Sequence, residues 1–187
     1  MDICSVTKSF SGKTVLDSFS LHMDEGDRLV IFAPSGRGKT SLLGLMMGLI
    51  EPDSGSISGI PEKIAAVFQE DRLPDDFTPI SCVRMTAPRS VSRETVLRHL
   101  AEVGLSECAY MPVKSLSGGQ KRRVAIVRAV IYDADMLFLD EPFTGLDAET
   151  KKQVCEYINK YTQGKTLVAV SHDEHDAELL ECKKLRI

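Results

Sequence analysis

The chain lacks tryptophan, a hydrophobic segment long enough to span a membrane, and a large excess of charge of either sign. Its 187 residues include 23 Lys and Arg against 27 Asp and Glu, for a formal charge of −4, which does not indicate a broad basic surface for nucleic acid. The longest apolar run, at 42–50, is far shorter than the ~20 residues that cross a bilayer. The N-terminal sequence MDICSVTKSF lacks the basic and apolar regions of a signal peptide. We therefore expect a soluble protein that stays where it is made and binds no nucleic acid.

The cysteines show no pairing or metal-binding pattern. Their number is odd, and no two are spaced as Cys-x-x-Cys. The five positions are Cys4, Cys82, Cys108, Cys155 and Cys182. This distribution predicts reduced thiols in a cytosolic protein, with a disulfide pair or a metal site as the alternative.

The length predicts a single domain over 1–187, since a domain commonly has roughly 100–200 residues. Apolar and polar residues alternate in short bursts over 1–31, with breaks at Ser11-Gly12 and Glu25-Gly26, which predicts an N-terminal antiparallel β part. Four segments are apolar at successive positions instead: 29–32, 64–68, 136–139 and 167–170. That pattern favours strands covered on both faces, as in a parallel sheet.

Helical patterns separate these strands. They cover 39–49, 93–103 after a Ser92 N-cap, 120–132 and 148–162. Strands that alternate with helices predict an α/β fold with a mostly parallel sheet. The longest loop-like region is 72–88, and the stretch 76–115 as a whole shows helical but no strand patterns. We therefore expect a helical subdomain inserted between core segments 1–75 and 116–187.

The segment after the apolar stretch 29–32 has the composition of a phosphate-binding loop. In the pattern G-x-x-x-x-G-K-[ST], backbone N–H groups and a helix N-terminus surround phosphate oxygens, the lysine reaches the β- and γ-phosphates, and the hydroxyl ligates Mg²⁺. The predicted phosphate-binding residues are Ala33, Pro34, Ser35, Gly36, Arg37, Gly38, Lys39, Thr40 and Ser41. Ala33 replaces the first glycine, which strains the loop if that position needs a positive φ and is harmless if it is extended. We expect the harmless case.

Two adjacent acids, Asp140 and Glu141, follow the apolar segment 136–139. Side chains alternate along a strand, so the two carboxylates point in different directions and can have different functions. Asp140 is predicted to hold Mg²⁺, and Glu141 is predicted to polarise an attacking water. Together with the phosphate loop, this pair predicts a P-loop NTPase core.

The segment L-S-G-G-Q, which ends at Gln120, carries a family resemblance. The chain resembles the ABC (ATP-binding cassette) ATPases, whose signature is LSGGQ, over nearly its whole length. V-F-Q at 67–69 resembles the Q-loop, P-F-T-G-L-D at 142–147 resembles the D-loop, and S-H-D at 171–173 resembles the segment of the switch histidine. Ser117 is a good N-cap, and the two glycines after it expose backbone amides, so the signature is predicted to be a second anion site.

The resemblance implies roles for several further residues. The signature residues Ser117, Gly118, Gly119 and Gln120 would face the γ-phosphate of an ATP molecule held by a second subunit. Gln69 would contact Mg²⁺ and the attacking water, and His172 would contact the γ-phosphate. Asp147 would lie at the dimer interface. Phe10 is at the position of an aromatic that stacks on adenine, and a place in the hydrophobic core is the alternative.

The resemblance also implies an ATPase subunit, with ATP and Mg²⁺ as cofactors, that powers a separate integral-membrane permease, with import as the expected direction. Its expected partners are the permease, a second cassette in a head-to-tail homodimer or heterodimer and, for an importer, an external substrate-binding protein. Its expected location is cytoplasmic, on the inner face of the cell membrane. Two alternatives stay open: an ABC ATPase that acts on DNA or ribosomes, and a nucleotide-binding module with weak hydrolysis.

Three further features are predicted to be structural only. Gly44 and Gly48 are expected to allow close packing of a helix on the sheet. Lys121, Arg122 and Arg123 are expected to form a solvated helix face. The polar residues at 173–176 are expected to form an exposed helix start.

Overall fold

The computed structural model describes residues 1–32 and 38–187. The strands of this part of the chain are β1 (Asp2–Phe10), β2 (Lys13–His22), β3 (Arg28–Phe32), β4 (Ser54–Ser58), β5 (Ile64–Val67), β6 (Met136–Asp140), β7 (Thr166–Ser171) and β8 (Lys183–Arg186). The α-helices are α1 (Lys39–Met46), α2 (Pro79–Arg84), α3 (Arg93–Glu102), α4 (Gly118–Ile131), α5 (Ala148–Tyr161) and α6 (His175–Leu179), and Val113–Ser115 forms a 3₁₀ turn.

Five strands form a parallel sheet in the order β5-β6-β7-β3-β8. Every residue of β6 and β7 is buried, because helices or the second sheet cover both faces of these strands. The predicted α/β class with a mostly parallel sheet is confirmed. The carboxyl ends of parallel strands meet at one edge of a sheet, so the carboxyl ends of β3, β6 and β7 lie close together.

The N-terminal part forms a separate antiparallel sheet in the order β2-β1-β4, as predicted for the first two strands. Phe10 pairs with Lys13 across a two-residue turn at Ser11 and Gly12. Both turn residues have a positive φ, of 49° and 81°. Positive φ at both positions gives the turn a twist that matches the two strands.

The strands β4 and β8 are absent from the sequence prediction. The strand β4 is exposed except at half-buried Ile57, and β8 is exposed except at half-buried Leu185. Each lies at the edge of a sheet. Exposed edge strands carry no apolar run or strict alternation, so their pairing depends on the strand beside them.

The helices follow the predicted order, with differences at their ends. Ser92 accepts a hydrogen bond from the Thr95 N–H at 3.1 Å, which confirms it as the N-cap of α3. The first helix ends at Met46, before the predicted position 49. Gly48 has φ +68°, so it serves the turn after α1 rather than helix packing on the sheet. A Cβ on Gly44 would lie 2.6 Å from Ile50 Cδ1, so the lack of a side chain at Gly44 leaves room for the Ile50 side chain after the turn.

The stretch 76–115 contains α2, α3 and the 3₁₀ turn, which pack beside α4. The second helix lies inside the region predicted as a loop, and this part of the loop prediction was wrong. Thr78 caps α2, because its side chain accepts from the Ser81 N–H, and Pro79 occupies the first turn. The boundaries of a helical subdomain at 76–115 stay a prediction.

The hydrophobic core lies in two layers, one on each face of the parallel sheet. Alternate residues of β6 enter different layers: Leu137 and Leu139 pack towards α4 and α5, while Met136 and Phe138 pack towards α1 and the antiparallel sheet. Within 1–32 and 38–187, no helix combines the length and the apolar character that crossing a bilayer requires. All five cysteines have free thiols, as predicted.

Candidate functional site

The phosphate-loop residues that the structure describes lie at the start of α1. Ala33, Pro34, Ser35, Gly36 and Arg37 are outside the described residues, so their predicted role stays a prediction. Gly38 precedes the helix with φ +81°, and a Cβ there would lie 3.0 Å from the carbonyl oxygen of Val15. Both the backbone conformation and the close approach of β2 therefore require glycine at this position.

Asp140 is the last residue of β6 and is only 4% exposed. Its Oδ2 accepts a hydrogen bond from the Thr40 hydroxyl at 3.2 Å. Burial raises the pKa of the Asp140 carboxyl, and the Thr40 hydrogen bond partly opposes this shift. The hydroxyl and the carboxylate predicted to serve Mg²⁺ thus lie side by side.

Glu141 turns away from the strand direction. Its φ is +49°, a conformation that is costly for a residue with a Cβ, and its N–H donates to the Val170 carbonyl at 3.0 Å. The Glu141 carboxylate lies between two basic groups. One oxygen is 3.9 Å from Lys39 Nζ, and the other is 2.7 Å from His172 Nδ1. The two acids therefore have different environments, as predicted, but the cause is the turn at Glu141 beyond the end of β6 rather than the alternation of side chains along a strand.

His172 follows β7, and its side chain is 72% exposed. Its two neighbours in the chain form side-chain contacts with α5 and α6. Ser171 Oγ donates to Asp176 Oδ2 at 2.5 Å, and Asp173 forms an ion pair with Lys151 at 2.5 Å. Lys151 also forms an ion pair with Asp176. Asp176 is 3% exposed, so the prediction of an exposed helix start at 173–176 was wrong for this residue.

One cavity of about 400 Å³ brings most of the predicted catalytic residues together. Its lining residues are Val15, Gly38, Lys39, Thr40, Ser41, Gln69, Asp140 and Glu141. His172 is joined to the wall of this cavity through its contact with Glu141. Lys39, Glu141 and His172 are far apart in the chain, and they meet because β3, β6 and β7 are neighbours in the sheet.

Phe10 does not line this cavity, and it is 44% exposed. The ammonium of Lys8 lies 5.5 Å from the centre of its ring. The exposure shows that Phe10 does not belong to the hydrophobic core. An aromatic surface close to the end of β1 is therefore open to a ligand.

The signature segment starts α4, two residues before the predicted helix start at Gln120. Ser117 Oγ accepts from the Gln120 N–H at 3.2 Å, and Gln120 Oε1 accepts from the Ser117 N–H at 2.8 Å. This capping box occupies the Gln120 side chain. A Cβ on Gly118 would meet nothing within 4 Å, so the helix N-terminus is open on that side.

The signature lines a second cavity, of about 480 Å³, and among the described residues none lines both this cavity and the first. Gly119 and Asp147 both line it. Asp147 caps α5, because its carboxylate accepts from the Thr150 N–H and hydroxyl, both at 2.9 Å. The hydrogen bond from the Thr150 N–H lowers the pKa of Asp147. The interface role predicted for Asp147 stays a prediction.

The basic residues after the signature do not all face solvent. Arg122 is 6% exposed and donates to the carbonyl oxygens of Phe68 and Gln69, both at 2.5 Å. Arg123 donates to the Val103 carbonyl at 2.7 Å. The prediction of a solvated face was therefore wrong for Arg122. The sequence carries no sign of this burial, because the carbonyl partners lie about fifty positions earlier in the chain.

Residues 16–144 match the protein-family model described as ABC transporter. An aliphatic sulfonates import ATP-binding protein of Rhodococcus jostii is 36% identical over 95% of this chain and 67% of its own length. A second sulfonate protein, from Pseudomonas syringae pv. tomato, is 35% identical over 99% of the chain and 81% of its own length. A spermidine/putrescine import ATP-binding protein of Pasteurella multocida is 36% identical, and the match covers 52% of that protein.

A solved structure is also similar over nearly the whole chain. It is a dimeric ATP-binding cassette in a post-hydrolysis state bound to ADP and phosphate. The TM-score is 0.82 and the sequence identity is 27%, over 98% of this chain and 93% of that one. The match of sequence and of fold, with a cavity that gathers the motif residues, shows that the chain belongs to the ABC transporter family and is an ATP-binding subunit that hydrolyses ATP.

Proposed function

We propose that the chain hydrolyses ATP, with Mg²⁺, to power uptake of a small solute through a separate membrane permease, as one of two cassettes paired head to tail. The observation that carries this proposal is the convergence of Lys39, Thr40, Asp140 and Glu141 on one cavity, with His172 hydrogen-bonded to Glu141. These groups supply the positive charge, metal ligands and base that phosphoryl transfer to water needs.

Phosphate binding is assigned to the start of α1. The backbone N–H groups at a helix N-terminus attract phosphate oxygens, and Gly38 brings this end close to β2. Lys39 lies in the same cavity, with its ammonium 3.9 Å from Glu141. It is proposed to bind the β- and γ-phosphates as a point charge. Phe10, outside this cavity, is proposed to stack on adenine.

Mg²⁺ fits the oxygen atoms that the cavity provides. The Thr40 hydroxyl is 3.2 Å from the Asp140 carboxylate, and Gln69 lines the same cavity. Mg²⁺ prefers hard oxygen ligands and commonly binds through one or two protein groups together with substrate phosphates. The described residues contain no cluster of three His, Cys, Asp or Glu that could hold a metal unaided. When bound, the ion neutralises charge on the phosphates.

Glu141 is proposed as the general base. It accepts a proton from the attacking water as the water oxygen bonds to the γ-phosphorus, and the bond from that phosphorus to the bridging oxygen breaks. Its carboxylate is oriented by His172 on one side and lies near Lys39 on the other. ADP and inorganic phosphate are the products. Gln69, which lines the same cavity, is proposed to orient the water.

The signature segment supports the proposed pairing of two chains. It lines a cavity separate from that of Lys39 and Glu141. The helix N-terminus in this second cavity is suited to bind an anion. A γ-phosphate held by a second chain is therefore assigned to Gly118 and Gly119. Asp147 lines the same cavity, and we propose that it lies at the interface.

Uptake is proposed because the two sulfonate relatives and the spermidine/putrescine relative are named as import proteins. The chain would act at the membrane through its permease. To test this, the chain is purified from detergent-extracted membranes, and its partners are identified by mass spectrometry. An integral-membrane protein is expected. Recovery with ribosomes or DNA alone would contradict the transport proposal.

The hydrolytic mechanism is tested with Glu141→Gln, which keeps the shape of the side chain but cannot accept the proton. ATP hydrolysis is expected to fall by about 10²-fold or more, while ATP binding is kept and dimers accumulate. Lys152→Gln, on the exposed face of α5, is the matched control and should hydrolyse ATP at the native rate. An unchanged rate in Glu141→Gln would show that another group is the base.

A further inference from the structure

Two arginines of α4 hold the chain segment that carries Gln69. Arg122 donates from its two terminal nitrogens to the carbonyl oxygens of Phe68 and Gln69. Its Nε lies 3.2 Å from Asp71 Oδ1. A planar guanidinium can make such contacts in three directions at once, which an ammonium cannot. The backbone on both sides of the Gln69 Cα is thus attached to α4.

Arg128, six positions later in α4, extends this attachment. It donates to the carbonyl oxygens of Asp71 and Arg72, at 3.2 and 3.0 Å. Burial lowers the pKa of Arg128, and the negative charge of Asp71 opposes this shift. Burial raises the pKa of Asp71, and the positive charge of Arg128 opposes that shift. Four carbonyl oxygens within 68–72 accept hydrogen bonds from one helix, so this segment is expected to move with α4 as one body.

The attachment joins the cavity of Lys39 and Glu141 to the cavity that the signature segment lines. Gln69 lines the first of these, the nucleotide cavity, together with Lys39 and Glu141. Arg122 and Asp71 line the other, the signature cavity, together with the signature segment. Arg122 lies little more than one turn from Gly118, where α4 begins. A ligand that displaces the start of α4 therefore displaces the Gln69 backbone through two short hydrogen bonds.

We propose that Arg122 is a positioning residue for Gln69, and that its contacts with 68–71 transmit the state of the signature cavity to the nucleotide cavity. This inference rests on the proposed role of Gln69 in hydrolysis. Arg122 acts through the backbone of Gln69 and touches no reacting atom. Its removal should therefore lower kcat for ATP hydrolysis more than it weakens ATP binding.

The test is a double-mutant cycle with Arg122→Gln and Gln69→Ala, measured as kcat and KM for ATP. Arg122→Gln is expected to lower kcat by about 10-fold to 100-fold, because displacement of a positioned group has effects of this size. Its KM for ATP should change by less than about 3-fold. In the Gln69→Ala background, Arg122→Gln should lower kcat by less than about 2-fold, because coupled sites are not additive.

Two outcomes separate this inference from the proposed function. If Gln69→Ala alone leaves kcat unchanged, the role of Gln69 is wrong and the positioning role fails with it. If Gln69→Ala lowers kcat but Arg122→Gln causes the same further loss with and without Gln69, the role of Gln69 stands and the positioning role of Arg122 is overturned. An unchanged kcat in Arg122→Gln also overturns it.

Folding is controlled with two further variants. Arg98→Gln removes an exposed arginine from α3 and should keep the native kcat and unfolding temperature. Arg122→Lys keeps a cation beside Asp71 but offers one nitrogen in place of three, so its kcat should lie between those of the native protein and Arg122→Gln. If Arg122→Gln does not fold, the same cycle is run with Arg122→Lys, and the same two outcomes decide.

Discussion

Replacement of Lys151 by methionine tests the ion pairs that support the segment after His172. The Lys151 ammonium, on α5, contacts the carboxylates of Asp173 and Asp176. Asp176 is 3% exposed, and its second oxygen accepts from the Ser171 hydroxyl at 2.5 Å. Lys151→Met leaves this buried carboxylate without its cation. Methionine keeps most of the aliphatic length of lysine, so the variant changes charge more than packing.

The expected cost follows from the burial of the two partners. Removing one member of a buried ion pair costs roughly 3–5 kcal/mol. The Lys151 side chain is 16% exposed and that of Asp173 is 45% exposed, so water reduces the cost towards the lower end, about 3 kcal/mol. In a protein of this size, about 1 kcal/mol lowers the unfolding temperature by roughly 2–4 °C. Lys151→Met should therefore unfold about 6–12 °C below the native protein.

The assay is thermal unfolding followed by circular dichroism, without nucleotide, at neutral pH. Lys152→Met, on the exposed face of the same helix, is the control and should unfold within about 2 °C of the native protein. Addition of Asp176→Asn to Lys151→Met removes the unpaired charge and should recover part of the loss. If Lys151→Met unfolds within about 2 °C of the native protein, the ion pairs do not stabilise this region.

The same variant has a predicted pH dependence. The hydrogen bond from Lys151 lowers the pKa of Asp173 below its ordinary value of 3.8. A lowered folded-state pKa stabilises the fold above 3.8, and this contribution is lost as the pH falls through the folded-state pKa. The difference in unfolding temperature between the native protein and Lys151→Met should therefore shrink as the pH is lowered below about 4.

Two further substitutions test single features of the fold. Gly38→Ala should lower the unfolding temperature and the ATP affinity, because φ is +81° and the new Cβ would lie 3.0 Å from the Val15 carbonyl oxygen. The control for stability is Gly118→Ala, whose new Cβ meets open space. Equal unfolding temperatures for the two variants would contradict the reasoning. Burial lowers the pKa of His99, whose Nδ1 contacts the Tyr157 hydroxyl at 2.8 Å. As the pH falls, the His99 imidazole therefore binds a proton more readily in the unfolded chain than in the folded protein. Stability is lost as the pH falls below about 6.5. His99→Gln should lose less stability than the native protein between pH 7.5 and 5.5 in urea unfolding, and an equal loss would show that other groups cause it.

The secondary structure was predictable where it depends on local sequence. Successive apolar residues identified β3, β5, β6 and β7, and Ser92 identified the start of α3. The edge strands β4 and β8 were missed because their residues are mostly exposed. Their strand conformation depends on hydrogen bonds to β1 and β3, which the local sequence does not reveal.

The motif residues of the site were predictable from the sequence, but the buried charged residues that support them were not. Glu141 and His172 were identified from their motifs, and the structure places them 2.7 Å apart. Arg122 and Asp176 were taken for exposed residues, although both are buried. A charged residue is buried only where partners compensate for its lost hydration, and these partners come from distant elements. Burial of a charge is therefore a property of the fold rather than of the segment that carries it.

The amino-acid sequence by itself determined the family, the α/β class and most residues of the nucleotide cavity, because each motif is a short segment with its own backbone and chemical requirements. Only the tertiary structure decided which groups face one another. The order of β6, β7 and β3 in the sheet brings Glu141 between Lys39 and His172. The contacts of α4 attach Gln69 to the signature helix through Arg122. These juxtapositions depend on strand order and helix packing, which act across the whole chain.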